Sequence, residues 1–165
     1  MIKTKNTTTP PKIGEGKRGK DGYLGYLLRQ AAGSYRHCVE RTLSDLQLTQ
    51  PQFSVMTMLE AYPGYSNADL ARLALLTPQT MSVIVTNLVK RVWVVRHAHQ
   101  IHGRIQTLEL TELGQQTLQA AKQRVYTIEK DLLAVVPEEH ETIIKEWLIQ
   151  VATLGEPAKE HSNTP

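Results

Sequence analysis

The stretch 66-SNADLARLALLTPQTMSVIVTNLVKRV-92 decides the fold. Ser66 followed by Asp69 is the pattern of a helix N-cap with a returning acid, and the short helix it opens ends near Leu75 and Leu76. Thr77 then caps a second helix with Pro78 at its first position, where the missing N–H leaves no bond unmade. Two helices joined by a tight turn are a helix-turn-helix. In the second, Met81, Ile84, Val85, Leu88, Val89 and Val92 share one face, and Gln79, Val83, Thr86, Asn87 and Lys90 occupy the other. That outer face has the chemistry to read bases in a major groove. Gln and Asn bond adenine bidentately, an exposed Val meets a thymine methyl, and the helix N-terminus offers free N–H groups to phosphate. The same pattern also suits an ordinary surface helix.

The next twenty residues narrow the choice. The segments 93-WVVRHAH-99 and 105-IQTLELT-111 are both strand-like, and 100-QIHGR-104 between them turns at Gly103. A hairpin directly after a helix-turn-helix is the order of a winged helix. His97 and His99 are two apart and project from one face of their strand, with His102 at the turn. Three imidazoles are enough to hold zinc if brought together, so a metal-responsive sensor or metalloprotein is the alternative reading. Against it, no Asp or Glu occurs between Asp69 and Glu109 to orient such ligands.

Outward from this centre the chain is helical. Leu24, Leu27, Leu28, Ala31, Tyr35, Cys38, Val39, Thr42, Leu43 and Leu46 predict one long amphipathic helix over Tyr23–Leu46, with Cys38 on its apolar stripe. Thr49, Pro51 and Gln52 open a second helix, which stops at the turn 62-YPGY-65. Thr111 caps a helix over 112–136, and Pro137 starts a last one with Glu138, Glu139 and Glu141 at its positive end. The apolar stripes of the terminal helices are too long for one small winged domain to cover, which predicts pairing with a second chain.

Composition agrees. The chain has 165 residues, 41% hydrophobic and 21% charged, which suits one domain with appendages. A single cysteine, Cys38, allows no disulfide framework and no thiolate cage, as in a reducing compartment. No apolar run is long enough for a membrane span and no signal peptide opens the chain, so a cytoplasmic protein without a membrane partner is expected. The net charge of +3 divides into +5 over residues 1–20, −1 over 21–65, +3 over 66–111 and −4 over 112–165. A basic middle beside an acidic end fits a polyanion-binding module joined to another kind of module. Residues 1–20 and 156–165 have the composition of a disordered basic leader and a disordered tail. No phosphate loop, nucleophile elbow or paired carboxylate site is present, so no enzyme and no cofactor is expected.

The chain from Leu24 to about Leu154 resembles the MarR family of winged helix-turn-helix regulators. The resemblance rests on 48-LTQPQFSVMTML-59, 67-NADLARLALLTPQTMSVIVTNLVKR-91 and 104-RIQTLELTELGQQTL-118, of which LELTELG is the most specific. It implies a mainly α fold with a small β-hairpin wing. Residues 49–111 would form the DNA-binding domain, and 21–48 with 112–155 a helical dimerisation region. It implies a homodimer on a pseudo-palindromic site in double-stranded DNA, acting as a ligand-responsive repressor. On the helix and its cap the candidate contacts are Thr77, Gln79, Thr80, Ser82, Val83, Thr86, Asn87 and Lys90. On the wing they are Arg96, His102 and Arg104, the last reaching the minor groove. A small-molecule effector of unknown identity would sit between the dimerisation and DNA-binding regions, with Tyr35, Phe53 and Met56 as candidate lining residues.

Three features depart from the family pattern. The wing tip is His-Gly-Arg rather than the commoner acidic-residue and arginine form. Val92 and Trp93 stand where Gly-Leu is usual, which removes an easy helix cap. The position of the reactive cysteine of the peroxide-sensing branch aligns with Gly25, not Cys38.

Overall fold

The computed structural model describes residues 9–98 and 106–154. Among these residues six α-helices and two strands succeed one another: α1 (Leu24–Thr42), α2 (Gln50–Ala61), α3 (Asn67–Leu73), α4 (Pro78–Lys90), β1 (Val94–Ala98), β2 (Gln106–Leu110), α5 (Glu112–Ala134) and α6 (Glu138–Thr153). The strands are antiparallel, with Val94 opposite Leu110 and Ala98 opposite Gln106. This is the mainly helical winged fold that the sequence predicts. Residues 9–20 carry turns and a short 3₁₀ turn at Gly16–Arg18, whose Arg18 reaches Gln30 of α1.

Local chemistry sets most boundaries. Thr49 and Gln52 form a full capping box at the start of α2, and Ser66 and Asp69 another at α3. Thr111 caps α5 through the N–H of Gly114. The three satisfy donors that a helix N-terminus otherwise leaves orphaned.

The helix ends depart from expectation. The first helix does not run to Leu46: it stops at Thr42, a 3₁₀ turn covers Ser44–Leu46, and Gln47 turns left-handed at φ 51°. Leu75 (φ 53°) and Val92 (φ 59°) do the same after α3 and α4. After these two helices a pair of backbone bonds closes the end. The N–H of Leu76 reaches the carbonyl of Ala71 and that of Leu75 reaches Arg72; the N–H of Trp93 reaches Leu88 and that of Val92 reaches Val89. These are Schellman closures built without glycine. The helical period puts Val92 on the buried face of the second helix of the motif. It instead lies past the helix end, 62% exposed, because the left-handed step rotates it outward.

The core joins all the elements but α3's outer half and α6. Val39 and Leu43, then Val55, Met56 and Leu59, Leu70, Met81, Val85 and Leu88, Leu108 and Leu118 are 1% exposed or less. Trp93 and Val94 complete it at the corner between α4 and the wing. Here the start of α5 bonds back onto the preceding chain. The Thr111 N–H donates to the carbonyl of Trp93 at 3.0 Å, its hydroxyl donates to the carbonyl of Val92 at 2.6 Å, and a Cβ on Gly114 would overlap the Trp93 carbonyl. The glycine of LELTELG is therefore required by contact, not by backbone angle.

The wing has one more pairing than the hairpin predicted from sequence. Ser66 bridges Thr107, the Gly64 N–H donates to Leu108 and the Leu108 N–H donates to Tyr65. The turn at 62–65 thus adds a minimal third strand to the inner edge of β2, made by backbone alone.

Much apolar surface stays uncovered in the single chain. α6 buries no residue, and Ile143, Ile149 and Leu154 are more than 60% exposed, with Trp147 and Leu148 about 40%. Leu24 of α1 and Leu132, Leu133 and Val135 at the end of α5 and just beyond are exposed too.

A β-branched residue in the left-handed region costs about 1–2 kcal/mol, and a glycine there would give back part of that gain through chain entropy. Val92→Gly is expected to raise unfolding stability by about 0.5–1 kcal/mol. Gly114→Ala is expected to lower it by about 2 kcal/mol or more through overpacking. Urea unfolding at one fixed protomer concentration checks both, and equal midpoints for the three proteins would refute the reading of the corner.

Candidate nucleic-acid interface

α4 is held from below and capped from the front. Met81, Val85 and Leu88 are fully buried, and Ile84 nearly so. The Thr77 hydroxyl accepts the Thr80 N–H at 3.2 Å and lies 2.9 Å from the Thr80 hydroxyl. Gln79, Ser82, Val83, Thr86, Asn87 and Lys90 form the outer face, as the helical period predicts. Val83 is 62% exposed at its middle. An apolar side chain so placed stabilises nothing within the chain.

α3 fixes the angle of this helix. Asn67 Nδ2 donates to the Pro78 carbonyl at 3.3 Å and to Ser82 Oγ at 3.2 Å. The sequence shows Asn67 only as part of the motif; its role needs the three-dimensional crossing of two helices. Asp69 stabilises the start of α3. Its carboxylate is held below the usual range by bonds from the Ser66 hydroxyl and backbone N–H, and also by the Arg72 guanidinium.

The wing leans on α4 through Arg96. Its guanidinium donates to Gln106 Oε1 at 3.1 Å and to Thr86 Oγ1 at 3.5 Å. Arg91, at the end of α4, lies 4.8 Å above the Trp93 ring and donates to Gln47 at 3.2 Å. On the wing, His97 Nε2 sits 3.5 Å from Glu109 Oε2. The carboxylate absent from the neighbouring sequence thus arrives from the opposite strand, through the register. His99, His102 and Arg104 lie outside the described residues, and so does any site that includes them. Among the described residues no cluster of three His, Cys, Asp or Glu is placed to hold a metal ion. No helix among them is long and apolar enough to cross a membrane.

The candidate effector residues are spread by burial. Met56 is wholly buried in the core, while Phe53 and Tyr35 are half-buried against it. The Tyr35 hydroxyl donates to Glu129 of α5 at 2.8 Å, and burial, then that bond, pushes its pKa up to about 12. A separate groove of about 770 Å³ runs along α1, lined by Arg29, Arg36, His37, Cys38 and Arg41 with Arg18. Sequence reasoning missed this cationic groove. Its signal was the seven-residue spacing of Arg29 and Arg36, which places both on one helix face. Cys38, expected on the apolar stripe, is half-buried at the edge of the groove, its sulfur 3.8 Å from the Arg41 guanidinium.

Residues 48–105 match the model of the MarR family. The chain is 36% identical over 123 residues to an HTH-type transcriptional repressor of Mycobacterium tuberculosis strain H37Rv, covering 73% of this chain and 88% of that one. It is similar to the crystal structure of a Mycobacterium tuberculosis MarR family protein in complex with p-aminosalicylic acid. There the identity is 31% and the TM-score 0.62, over 79% of this chain and 99% of that one. It is also similar to the transcriptional repressor CouR bound to a 23-mer DNA duplex, at 27% identity and a TM-score of 0.71, over 90% and 100% of the two chains.

The cap at α3 generates a pH test. A carboxylate lowered in the folded state stabilises the fold above its unfolded value near ~3.9, and that contribution is lost as pH falls through the folded value. Ser66→Ala is expected to cost about 1 kcal/mol at neutral pH. Asp69→Asn is expected to be less stable than the native chain at pH 7, with the gap closing in acid below pH ~4. Thermal unfolding across pH at fixed concentration reads this, and a gap that stays constant into acid would refute it.

Proposed function

The chain belongs to the MarR family, and from that premise we propose that it is a sequence-specific DNA-binding transcriptional regulator, a ligand-responsive repressor that acts as a homodimer. The observation that carries this is the 36% identity over 123 residues to a transcriptional repressor, together with an exposed α4 face made of amides, hydroxyls and one valine. The family is one of regulators, not of enzymes.

Each part has its own task. α4 enters the major groove and presents Gln79, Val83, Thr86 and Asn87 to base edges, while Thr77, Thr80 and Ser82 lie near the backbone at its front and Lys90 at its rear. The wing contacts the DNA through Arg96, His102 and Arg104, the last in the minor groove. α1, the end of α5 and α6 bury their apolar faces against a second copy, which sets the distance between two α4 helices and so the half-site spacing of a pseudo-palindrome. An effector between the dimerisation and DNA-binding regions, near Tyr35 and Phe53, acts by binding one dimer geometry better than the other. Only that difference in affinity moves the equilibrium. A DNA-binding regulator of this kind works in the cytoplasm.

Two measurements test the reading. Fluorescence anisotropy on a duplex from the chain's own upstream DNA should show binding that weakens by about a hundredfold or more from 50 to 200 mM salt, through phosphate contacts. Arg104→Ala should weaken binding about tenfold, and Gln79→Ala should narrow the gap between specific and unrelated duplexes by about tenfold, within the range of about 1–3 kcal/mol for one base pair. Unchanged affinities in both variants would overturn the contact assignment. Light scattering should give a dimer, and Ile144→Asp with Leu148→Asp should give a folded monomer that no longer binds a two-half-site duplex.

A further inference from the structure

We propose that the outer face of α4 reads A·T base pairs, each half-site setting a thymine methyl against Val83 between adenine edges read by Gln79 and Asn87. The inference rests on the DNA-binding reading above and goes further, to the base composition of the site.

It begins from what the face lacks. Guanine is read in the major groove by Arg or Lys, and cytosine by Asp or Glu. From Thr77 to Asn87 the chain has no charged side chain of either sign, and the first cation is Lys90. Three cations nearby are engaged elsewhere. Arg72 pairs with Asp69, Arg91 lies on Trp93 and donates to Gln47, and Arg96 holds Gln106 and Thr86.

The hydroxyls select no base, since Ser and Thr bond donor and acceptor edges alike, and each has one bond already taken within the chain. Thr77 and Thr80 bond each other in the cap, Ser82 accepts from Asn67, and Thr86 accepts from Arg96. That leaves Gln79, Val83 and Asn87, whose side chains have no hydrogen-bond partner among the described residues. They stand four residues apart, on one stripe of the helix. At 1.5 Å per residue the stripe rises about 12 Å, or roughly four base pairs at 3.4 Å each.

Val83 is decisive because it is apolar. In a groove it displaces water from whatever it covers. Against a polar base edge that water is lost without a replacement bond, whereas against the thymine 5-methyl group both surfaces leave water favourably. Its amide neighbours have the paired donor and acceptor that match adenine N7 and N6.

The test uses the full-length homodimer and a pool of duplexes with a random central segment, selected by binding and sequenced. The expected result is an inverted repeat with runs of three or four A·T pairs one helical turn apart. An inverted repeat with G·C pairs at those positions would overturn the inference and leave the regulator reading intact. A pool bound without any enriched sequence would overturn both. The selected duplex is then remade with 2′-deoxyuridine for thymidine in the half-sites, which removes only the methyl groups. The native chain should lose about three- to tenfold in affinity, and Val83→Ala less than about twofold. Equal losses in the two proteins, or no loss in the native chain, would overturn the role of Val83.

Discussion

The corner at Val92 and Trp93 is the constraint on which the rest of the structure depends. There α4 ends, the wing begins and α5 returns, all within bonding distance. Two consecutive carbonyls, of Val92 and Trp93, are both taken by Thr111, once by its hydroxyl and once by its N–H. Gly114 lets the first turn of α5 lie flat on the Trp93 carbonyl. The Trp93 ring is buried beneath, with the Arg91 guanidinium over its face. The angle between α4 and the wing is therefore held at this corner by Thr111 and the close approach of Gly114, with Arg96 as a second tie further out.

The corner also explains how a chain without the usual glycine closes its helix. The Schellman bonds to Leu88 and Val89 outweigh the strain of a valine at φ 59°. Trp93 then supplies the apolar contact that such closures commonly use. The same solution recurs at Leu75, so the turn before α4 and the end of α4 are both fixed by backbone bonds around a residue that is not glycine. Arg96 carries the rigidity outward, from Thr86 on the helix to Gln106 on the returning strand.

A protomer alone leaves this reading unit without its frame. α6 buries nothing within the chain, and the first turn of α1 and the last turn of α5 keep large apolar side chains exposed. Exposed apolar surface of that extent suits an interface. In the homodimer proposed above these faces finish the hydrophobic burial that the chain starts, and the distance between two α4 helices would depend on how they meet. On that reading an effector that alters this meeting would alter DNA binding without touching α4.

The sequence by itself determined the element order, the four caps at Thr49, Ser66, Thr77 and Thr111, and the two faces of α4, because these depend on neighbours within four residues. It also determined the family, through the motif and the LELTELG segment. Only the tertiary structure decided that α1 stops at Thr42, that Val92 turns outward, that Ser66 pairs with the wing and that Glu109 meets His97. Each of those depends on backbone bonds or cross-strand register that no helical or strand period encodes. The candidate interface was legible as a face, since a helix displays its period, but not as a set of free and engaged side chains. Ser82 and Thr86 are held by Asn67 and Arg96, leaving Gln79, Val83 and Asn87, because of how α3 and the wing cross α4.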